Sequence, residues 1–420
     1  MTSSNQRNED LTKKAKASSV FTPGAPVNTL SLFKGRGKQI ELALQAVNQI
    51  GCHPIIYGER GVGKTSLANV LHEIFYNARM AGLRFAHINC DAADTFDSLW
   101  QKVFKGLTIS ESGYVSEATT QKGLDLPMTL AEWIGKQMTP DQVLRTSSLI
   151  KAHLIVIIDE FDQLKEQIDV IQLMANTIKA SSDQRVPLTI VLVGVADTID
   201  ELISQHESID RNLVQIQMPR MSSEEVKEIV EGGLKALDFS IDEEALSFIC
   251  YFAQGLPAAA HHIGLRLSYL LIDTKKTTAT KIEVIQALIS VIEGMGQSLL
   301  NDWNRAISSP RPNALWKQVL LACSLAPRNE LGWFRPNDVA DMFRLVTNNS
   351  SYGVGTYSQH LHILADNRGK VLERRGSAHR FEFRFKKPLF QSYILMKALT
   401  SKMITEKLLD SVKDNLPAQQ

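Results

Sequence analysis

A glycine-rich run ending in lysine and threonine is the strongest chemical signal in this sequence of 420 residues. Residues 58–65 read Gly-Glu-Arg-Gly-Val-Gly-Lys-Thr and fit the spacing G-x-x-x-x-G-K-[ST]. Glycines let the backbone curl so that its N–H groups face a phosphate, the lysine adds positive charge, and the threonine hydroxyl can ligate Mg²⁺. The run predicts a loop that binds a nucleoside triphosphate; an accidental glycine-rich turn is the alternative. The predicted ligand-binding residues here are Gly58, Glu59, Arg60, Gly61, Val62, Gly63, Lys64, Thr65 and Ser66, with Thr65 also a metal ligand.

Two carboxylates close an aliphatic segment further along the chain. Asp159 and Glu160 directly follow Leu154–Ile158, an unbroken aliphatic run of the kind found in strands covered on both faces. Parallel-sheet proteins bind ligands at the carboxyl ends of strands. Asp159 is therefore predicted to hold Mg²⁺ through water, and Glu160 to orient or deprotonate an attacking water. The alternative is an acidic start to the next helix, which Asp162 would share.

The elements that position these residues alternate between strands and helices. His53–Tyr57 and Thr189–Val193 are further aliphatic runs, and Arg84–Asn89 is a less pure one. Their alternation with helical stretches predicts a parallel sheet with crossover helices. Ile109–Thr146 shows no clear strand and is predicted to be an insertion.

From Met221 the pattern becomes helical as far as about Ile307, beginning with the capping-box spacing of Ser222 and Glu225. A linker at Ser308–Pro312 then leads to three helices and a two-stranded ribbon, which make a winged helix plausible. The predicted helices are 315–325, 336–345 and 357–365, and the ribbon strands are 370–375 and 380–385. The predicted domains are a disordered leader 1–20, an α/β nucleotide-binding domain 21–220, a helical lid 221–307, a winged-helix domain 308–400 and a C-terminal helix or tail 401–420.

The composition excludes several classes of protein. Lys plus Arg number 46 and Asp plus Glu 45, a net charge of +1, so no whole-molecule field attracts nucleic acid or an anionic membrane. The four cysteines are far apart, which indicates neither a disulfide framework nor a zinc site. The apolar runs are too short for a membrane helix, so we expect a cytoplasmic protein without a membrane partner.

Taken together, these motifs resemble those of an AAA+ ATPase. The resemblance rests on Gly58–Thr65 and Leu154–Glu160, with Phe33-Lys34-Gly35-Arg36 upstream and a helical segment downstream. The winged-helix candidate points to the initiator-like branch, which includes origin-recognition and replication-initiation ATPases and bacterial relatives in mobile-element or defence settings. It covers about residues 21–400 and implies ATP and Mg²⁺ as cofactors and a homo-oligomer.

The resemblance assigns roles to further positions. By this resemblance, Arg36 lies in a segment that packs against the base of the nucleotide. The alternative is that Arg36 is a helix N-cap on the surface. Asp197 follows the strand Thr189–Val193, where the family places a polar sensor of the γ-phosphate, usually Asn or Thr. An aspartate there would repel phosphate unless Mg²⁺ or a proton intervenes. Arg211 would reach the γ-phosphate of a neighbouring subunit, unless it is a solvated surface arginine, and Arg220 is a second choice.

The lid departs from the family pattern. Gly255-Leu256-Pro257-Ala258 resembles the second sensor motif, but the arginine expected near Ala258 is missing. His261 and His262 could replace it in part, although core or surface histidines are the simpler interpretation. The departure favours slow hydrolysis and an ATP-controlled switch.

Residues 366–387 hold eight Lys or Arg and three Asp or Glu, a local charge of +5. On a winged helix, Ser358, Gln359 and His360 would lie on the recognition helix. Arg374, Arg375, Arg380 and Arg384 would lie on or near the wing. We therefore predict an ATP-hydrolysing switch that controls an assembly on double-stranded DNA. The alternatives are a defence-type sensor NTPase whose C-terminal module binds a protein partner, and a nucleotide-binding scaffold with negligible turnover.

Overall fold

The computed structural model describes residues 2–77, 82–109, 115–117, 129–134, 137–203, 209–311, 314–377 and 380–405. The chain divides into two compact units. The sheet unit comprises Pro26–Glu59 and Gly63–Met218. The helical unit comprises Met1–Ala25, Arg60–Val62 and Pro219–Gln420, and so contains both the predicted lid and the predicted C-terminal domain.

Strands and helices alternate through the sheet unit, and helices dominate the rest. The strands are β1 (His53–Gly58), β2 (Leu83–Asn89), β3 (Leu107–Ile109), β4 (Val115–Glu117), β5 (His153–Asp159), β6 (Leu188–Val195), β7 (Leu213–Gln217), β8 (Ser240–Ile241), β9 (Thr278–Ala279), β10 (Leu372–Arg375) and β11 (Glu382–Phe385). The helices are α1 (Thr2–Val20), α2 (Gly37–Val47), α3 (Lys64–Asn77), α4 (Phe96–Lys105), α5 (Leu130–Ile134), α6 (Pro140–Leu149), α7 (Ile168–Asp183), α8 (Asp200–Ile203), α9 (Ser223–Lys235), α10 (Glu243–Ala253), α11 (Pro257–Thr274), α12 (Lys281–Gly294), α13 (Gln297–Ile307), α14 (Trp316–Leu325), α15 (Ala340–Thr347), α16 (Val354–Asp366) and α17 (Pro388–Thr400). Short 3-10 helices cover Phe161–Leu164, Asp210–Asn212 and Pro336–Val339.

A five-stranded parallel sheet in the order β2-β5-β6-β1-β7 forms the centre of the sheet unit. The central strands are aliphatic and almost fully buried, as strands covered on both faces must be. The prediction of an α/β fold with a parallel sheet is therefore confirmed. Because the strands are parallel, the carboxyl ends of β1, β5 and β6 lie at one edge, which we call the carboxyl edge.

The predicted insertion contains strand structure that the sequence pattern did not reveal. β3 and β4 pair in antiparallel fashion, with Leu107 opposite Glu117. Three-residue strands are too short to show an alternating pattern, so the prediction of no strand was wrong here. Residues 110–114, 118–128 and 135–136 of the insertion lie outside the described residues.

The predicted lid is helical except for one short pairing. Ser222 Oγ accepts a hydrogen bond from the Glu225 N–H (3.2 Å), and a Glu225 carboxylate oxygen accepts one from the Ser222 N–H (2.8 Å). This capping box starts α9 as predicted. β8 and β9 form a two-residue parallel pair, so the lid is not entirely helical.

The leader was predicted to be disordered, and this prediction was wrong, because α1 spans Thr2–Val20. Asp10 pairs with Lys275 (2.9 Å) and Lys14 with Asp273 (2.6 Å), so polar contacts hold α1 against α11. Phe21, which follows α1 and is 1% exposed, provides the apolar anchor.

Phe21 sits between two helices because glycines make room for its ring. A Cβ atom added at Gly233 of α9 would lie 2.3 Å from the ring, and one added at Gly264 of α11 would lie 2.4 Å from it. The leader is therefore held in place by a slot between α9 and α11 that receives Phe21. The polar composition of the leader itself could not indicate this slot, because the slot is formed by tertiary structure.

The C-terminal part follows the predicted order of elements. After α14, the 3-10 helix at Pro336–Val339 leads into α15, and α16 precedes the antiparallel pair of β10 and β11. Phe334 pairs with Phe383 on the outer side of this ribbon. α17 ends at Thr400, directly before the predicted C-terminal helix or tail at 401–420, and residues 406–420 of that segment lie outside the described residues.

We expect Phe21→Ala to lower the free energy of unfolding of the helical unit by about 3–5 kcal/mol, because a buried aromatic ring is lost. Urea unfolding followed by circular dichroism measures this change. Gly264→Ala should also destabilise the wild type, but it should cost less in the Phe21→Ala background, where the ring is gone. Simple additivity of the two changes would contradict the proposed slot.

Candidate functional site

The P-loop, Gly58–Thr65, joins β1 to α3 as the motif requires. Its glycines have positive φ angles, 150° at Gly58, 85° at Gly61 and 99° at Gly63, a region that side-chain-bearing residues rarely adopt. At Gly58 there is also no space, since a Cβ atom would lie 2.4 Å from the Met218 carbonyl oxygen. The glycines are therefore needed for backbone shape and, at Gly58, for close approach.

Lys64 lies inside the curve of this loop. Its ammonium is nearly buried and donates hydrogen bonds to the carbonyl oxygens of Gly58 (3.0 Å) and Glu59 (2.9 Å). Lys64 and Thr65 are also the first residues of α3, whose N-terminal N–H groups and dipole favour an anion. An ammonium and a helix N-terminus at one place have the chemistry that a phosphate-binding site requires.

Ser66 has a side-chain role that the sequence did not reveal. Its Oγ accepts the N–H of Val27 (3.0 Å), and Glu73 of the same helix accepts the N–H of Leu30. These contacts fasten the segment before α2 to the P-loop helix. The hydroxyl of Ser66 thus serves this segment.

Asp159 and Glu160 follow β5 at the carboxyl edge. Asp159 is 3% exposed, whereas Glu160 is exposed and has a left-handed backbone (φ 57°). The Glu160 N–H donates to Asp159 Oδ1 (2.7 Å), which stabilises this uncommon conformation. One strand, β6, separates β5 from β1, so Asp159 lies about 10 Å across the sheet from Gly58.

Asp197 follows β6, the strand between β5 and β1. It is 8% exposed, and its N–H donates to a carboxylate oxygen of Glu201 (2.9 Å). The sheet thus brings Lys64, Asp159 and Asp197 to one edge, although they are far apart in sequence. Glu201 was not singled out in the sequence, and its four-residue spacing from Asp197 is the only signal that could have indicated it.

Arg211 is not brought to this edge. It precedes β7, which runs parallel to β1 with Leu213 opposite His53, so it lies at the amino edge. The strand rise separates it from Gly58 by roughly 20 Å. Its guanidinium is 71% exposed and pairs with Asp183 (2.8 Å). Arg211 therefore cannot reach the P-loop of its own chain.

Arg220 is engaged within the helical unit. It donates to Gln391 Oε1 (2.8 Å) and to the Gln254 carbonyl (3.3 Å). Gln391 also donates to Gln254 Oε1 (2.6 Å). These contacts join the end of α10 to α17 and explain Arg220 as a structural residue.

Two further predictions have a clear outcome. Arg36 occupies the N-cap position of α2, but its side chain makes no capping hydrogen bond and the residue is only 1% exposed, so it is buried rather than on the surface. His261 is a core histidine, because its Nδ1 accepts the Thr22 N–H (3.0 Å) and burial lowers its pKa to about 4. A neutral His261 that faces Thr22 supplies no positive charge in place of the missing lid arginine.

The donor set suits Mg²⁺ shared with phosphate. Within the described ranges, no group of three or more His, Cys, Asp or Glu side chains could hold a metal ion. Mg²⁺ is usually held by one or two protein oxygens together with waters and substrate phosphates. The Thr65 hydroxyl and the Asp159 carboxylate are oxygens of this kind. Over those same ranges, no helix is both long and apolar enough to span a membrane.

Comparisons with known proteins agree with this geometry. Residues 52–203 match the family model described as AAA domain. No curated protein matches the sequence.

Several solved structures are similar to this chain. The Walker-type ATPase PABY2304 of Pyrococcus abyssi shares 13% identity with a TM-score of 0.50, covering 90% of this chain and 99% of that one. The Aeropyrum pernix ORC1 protein in complex with DNA has 12% identity, a TM-score of 0.48 and coverages of 92% and 98%. The Aeropyrum pernix ORC2 protein in ADPNP-ADP complexes has 15% identity, a TM-score of 0.48 and coverages of 94% and 97%. At such identities the likeness concerns the fold alone. The matched region contains both the P-loop and the Asp159-Glu160 pair, and this chain therefore carries an AAA domain over residues 52–203.

Proposed function

We propose that this chain is an initiator-type AAA+ switch that binds ATP with Mg²⁺ and hydrolyses it to control a DNA-bound assembly. The observation that carries the nucleotide part is the meeting of Lys64, Asp159 and Asp197 at one edge of the sheet. The arrangement of the C-terminal elements supports the DNA part.

The P-loop N–H groups and Lys64 hold the β- and γ-phosphates in this proposal. Thr65 and, through water, Asp159 hold Mg²⁺, which when bound neutralises charge on the phosphates. The exposed carboxylate of Glu160 accepts a hydrogen bond from the attacking water and orients it. Asp197, which follows the strand between β5 and β1, senses the γ-phosphate.

A second copy of the chain supplies Arg211. Its exposed position at the amino edge, far from its own P-loop, supports action on a neighbour's nucleotide. A guanidinium supplied in trans stabilises charge on the transferring phosphoryl group. Hydrolysis would then depend on assembly, which fits a switch.

The C-terminal module has the order helix, bridge, helix, helix and ribbon, which is typical of a winged helix. The bridge at Phe334 adds a third strand segment beside β11. α16 would then be the recognition helix. Of its predicted contacts, Gln359 is exposed, whereas the ring of His360 packs at a tilt against Trp316 with 4.4 Å between ring centroids.

Three of the four arginines predicted to lie on or near the wing form ion pairs within the ribbon or with α16. Arg374 pairs with Asp366 (3.2 Å), and Arg375 with Glu382 (2.8 Å). The hydrogen bond from Arg375 lowers the pKa of Glu382, which keeps this partner ionised. Arg384 is 8% exposed and pairs with Glu373 (3.3 Å).

The guanidinium groups of the same three arginines also contact aromatic rings. The guanidinium of Arg374 lies 5.1 Å from the centre of Phe381, and those of Arg375 and Arg384 lie 4.3 and 4.4 Å from the centre of Trp333. These three side chains are thus engaged inside the module. Three cations of the segment 366–387 are exposed and form no ion pair with another residue that the structure describes. They are Arg380 at the tip of the ribbon, and Lys370 and Lys386 at the base of the ribbon. We assign phosphate contact to these three.

Internal neutralisation of the ribbon also favours the second candidate, a defence-type sensor whose module binds a protein. Winged helices serve in both ways, and a ribbon with fewer available cations attracts DNA less strongly. The DNA experiment below decides between them.

Glu160→Gln should leave ATP affinity unchanged and lower the hydrolysis rate by about 100-fold or more, because the amide cannot accept the proton of water. Steady-state phosphate release and binding of a fluorescent ATP analogue measure the two effects. Glu166→Gln is the matched control, because Glu166 is also an exposed carboxylate and lies just beyond the 3-10 helix that follows Glu160. Equal rates in wild type and Glu160→Gln would remove Glu160 from catalysis, and no turnover in wild type would favour the scaffold.

Arg211→Ala should slow hydrolysis only in the assembled protein. Mixing it with Lys64→Ala, which cannot bind ATP, should restore activity, because the Lys64 variant donates an intact Arg211 to a neighbour that still binds nucleotide. Asp183→Asn removes the ion-pair partner of Arg211 but keeps the arginine, so it should stay active. A mixture as inactive as its components would rule out action in trans.

Substituting Lys370, Arg380 and Lys386 together by alanine should weaken binding to duplex DNA. It should reduce the slope of log affinity against log salt by up to about 0.9 per lost phosphate contact. Fluorescence anisotropy at several salt concentrations measures both. A control variant loses three exposed lysines elsewhere, Lys16, Lys179 and Lys235. An unchanged slope would exclude this surface, and absence of DNA binding in wild type would favour the protein-binding module.

A further inference from the structure

β6 extends beyond its neighbour β5 at the carboxyl edge. The two strands pair as far as Ile158 and Leu192, whereas β6 continues to Val195, opposite Gly58 of β1. The Val195 N–H therefore has no β5 carbonyl to bind. It donates instead to Asp162 Oδ1 (2.8 Å), a side chain from the 3-10 helix that follows β5. The carboxylate thus takes the place of a strand carbonyl.

The chain is built to allow this contact. A Cβ atom at Gly194 would lie 2.7 Å from Leu202 Cδ2 and 3.2 Å from the Asp162 nitrogen. A side chain at this position would require the 3-10 helix to move by a few tenths of an ångström, so glycine favours its close approach to β6. Phe161 and Leu164, which flank Asp162, are 1% and 0% exposed and fix this helix in the core.

The contact joins the ends of two strands that carry proposed nucleotide-facing residues. Glu160 lies two residues before Asp162, and its left-handed backbone is stabilised by Asp159. Asp197 lies two residues after Val195 and is held by Glu201. The hydrogen bond that the Val195 N–H donates to Asp162 therefore links the two segments through a side chain.

We infer that Asp162 is a positioning residue that holds the Glu160 segment in register with the Asp197 segment. The inference rests on the proposed roles of Glu160 and Asp197. A change at Asp197 on phosphate release then reaches Glu160 through one hydrogen bond. Asp162 needs only to accept this bond and has no contact with the substrate.

The test compares Asp162→Ala with Asp162→Asn in the full-length protein. Alanine removes the acceptor and should lower kcat about tenfold or more, with the Kd for a fluorescent ATP analogue within about threefold of wild type. Asparagine keeps an acceptor oxygen and should recover most of the rate. Hydrogen exchange at the Val195 amide should be faster in the alanine variant and close to wild type in the asparagine variant.

Asp97→Ala is the matched control, since Asp97 Oδ1 also accepts a backbone N–H, that of Met138 (2.8 Å), and Asp97 belongs to α4 rather than to the segments that follow β5 and β6. It should leave kcat unchanged. An unchanged kcat in Asp162→Ala would overturn the inference, and so would equal losses in the two Asp162 variants or an equal loss of kcat, ATP affinity and stability. If Glu160→Gln hydrolyses as fast as wild type, the proposed catalysis fails by itself, while exchange at Val195 still reports whether Asp162 holds the strand.

Discussion

The parallel direction of β1, β5 and β6 is the constraint on which the candidate site depends. Because the strands run in the same direction, the polar residues at or just after the carboxyl ends of β1, β5 and β6 all lie at the carboxyl edge. For this reason Asp159 and Gly58 lie on the same side of the sheet, two strand spacings or about 10 Å apart in the direction across the strands. An antiparallel β5 would move Asp159 to the amino edge, where Arg211 lies. The same constraint that gathers the phosphate-facing groups also keeps Arg211 away from them.

The parts of the candidate site whose position in the fold the sequence predicts are those in which chemistry fixes local spacing. The P-loop needs its glycines for backbone shape, and the Asp159-Glu160 pair needs only the end of a buried strand, so both are visible in a few residues. Three-residue strands such as β3 give no periodic signal, and α1 depends on a slot made by Gly233 and Gly264, which are remote in sequence. The sequence indicates that Asp162 is an acidic residue after the strand, but not that it accepts the hydrogen bond of the Val195 N–H. That contact depends on β6 being longer than β5, which becomes visible only once the strands are paired.

The ribbon shows how register changes the meaning of a charge count. Arg375 is opposite Glu382 and Glu373 is opposite Arg384, so the antiparallel pairing brings opposite charges together across the strands. A count over residues 366–387 cannot see this pairing. Paired charges present little field beyond a Debye length of about 8 Å at physiological salt. Among the described residues of the segment 366–387, the exposed cations for which no ion pair is seen are thus at the ribbon tip and base, namely Arg380, Lys370 and Lys386.

The lid lacks its expected arginine, and the histidine nearest in sequence does not replace it. Burial lowers the pKa of His261 to about 4, and its Nδ1 is occupied by the Thr22 N–H. It therefore stays neutral at physiological pH and anchors the N-terminal segment. Under the proposed mechanism, Arg211 from a second copy is then left as the guanidinium assigned to the transition state. A single chain would bind ATP through the P-loop but hydrolyse it slowly, and assembly would become the step that controls turnover.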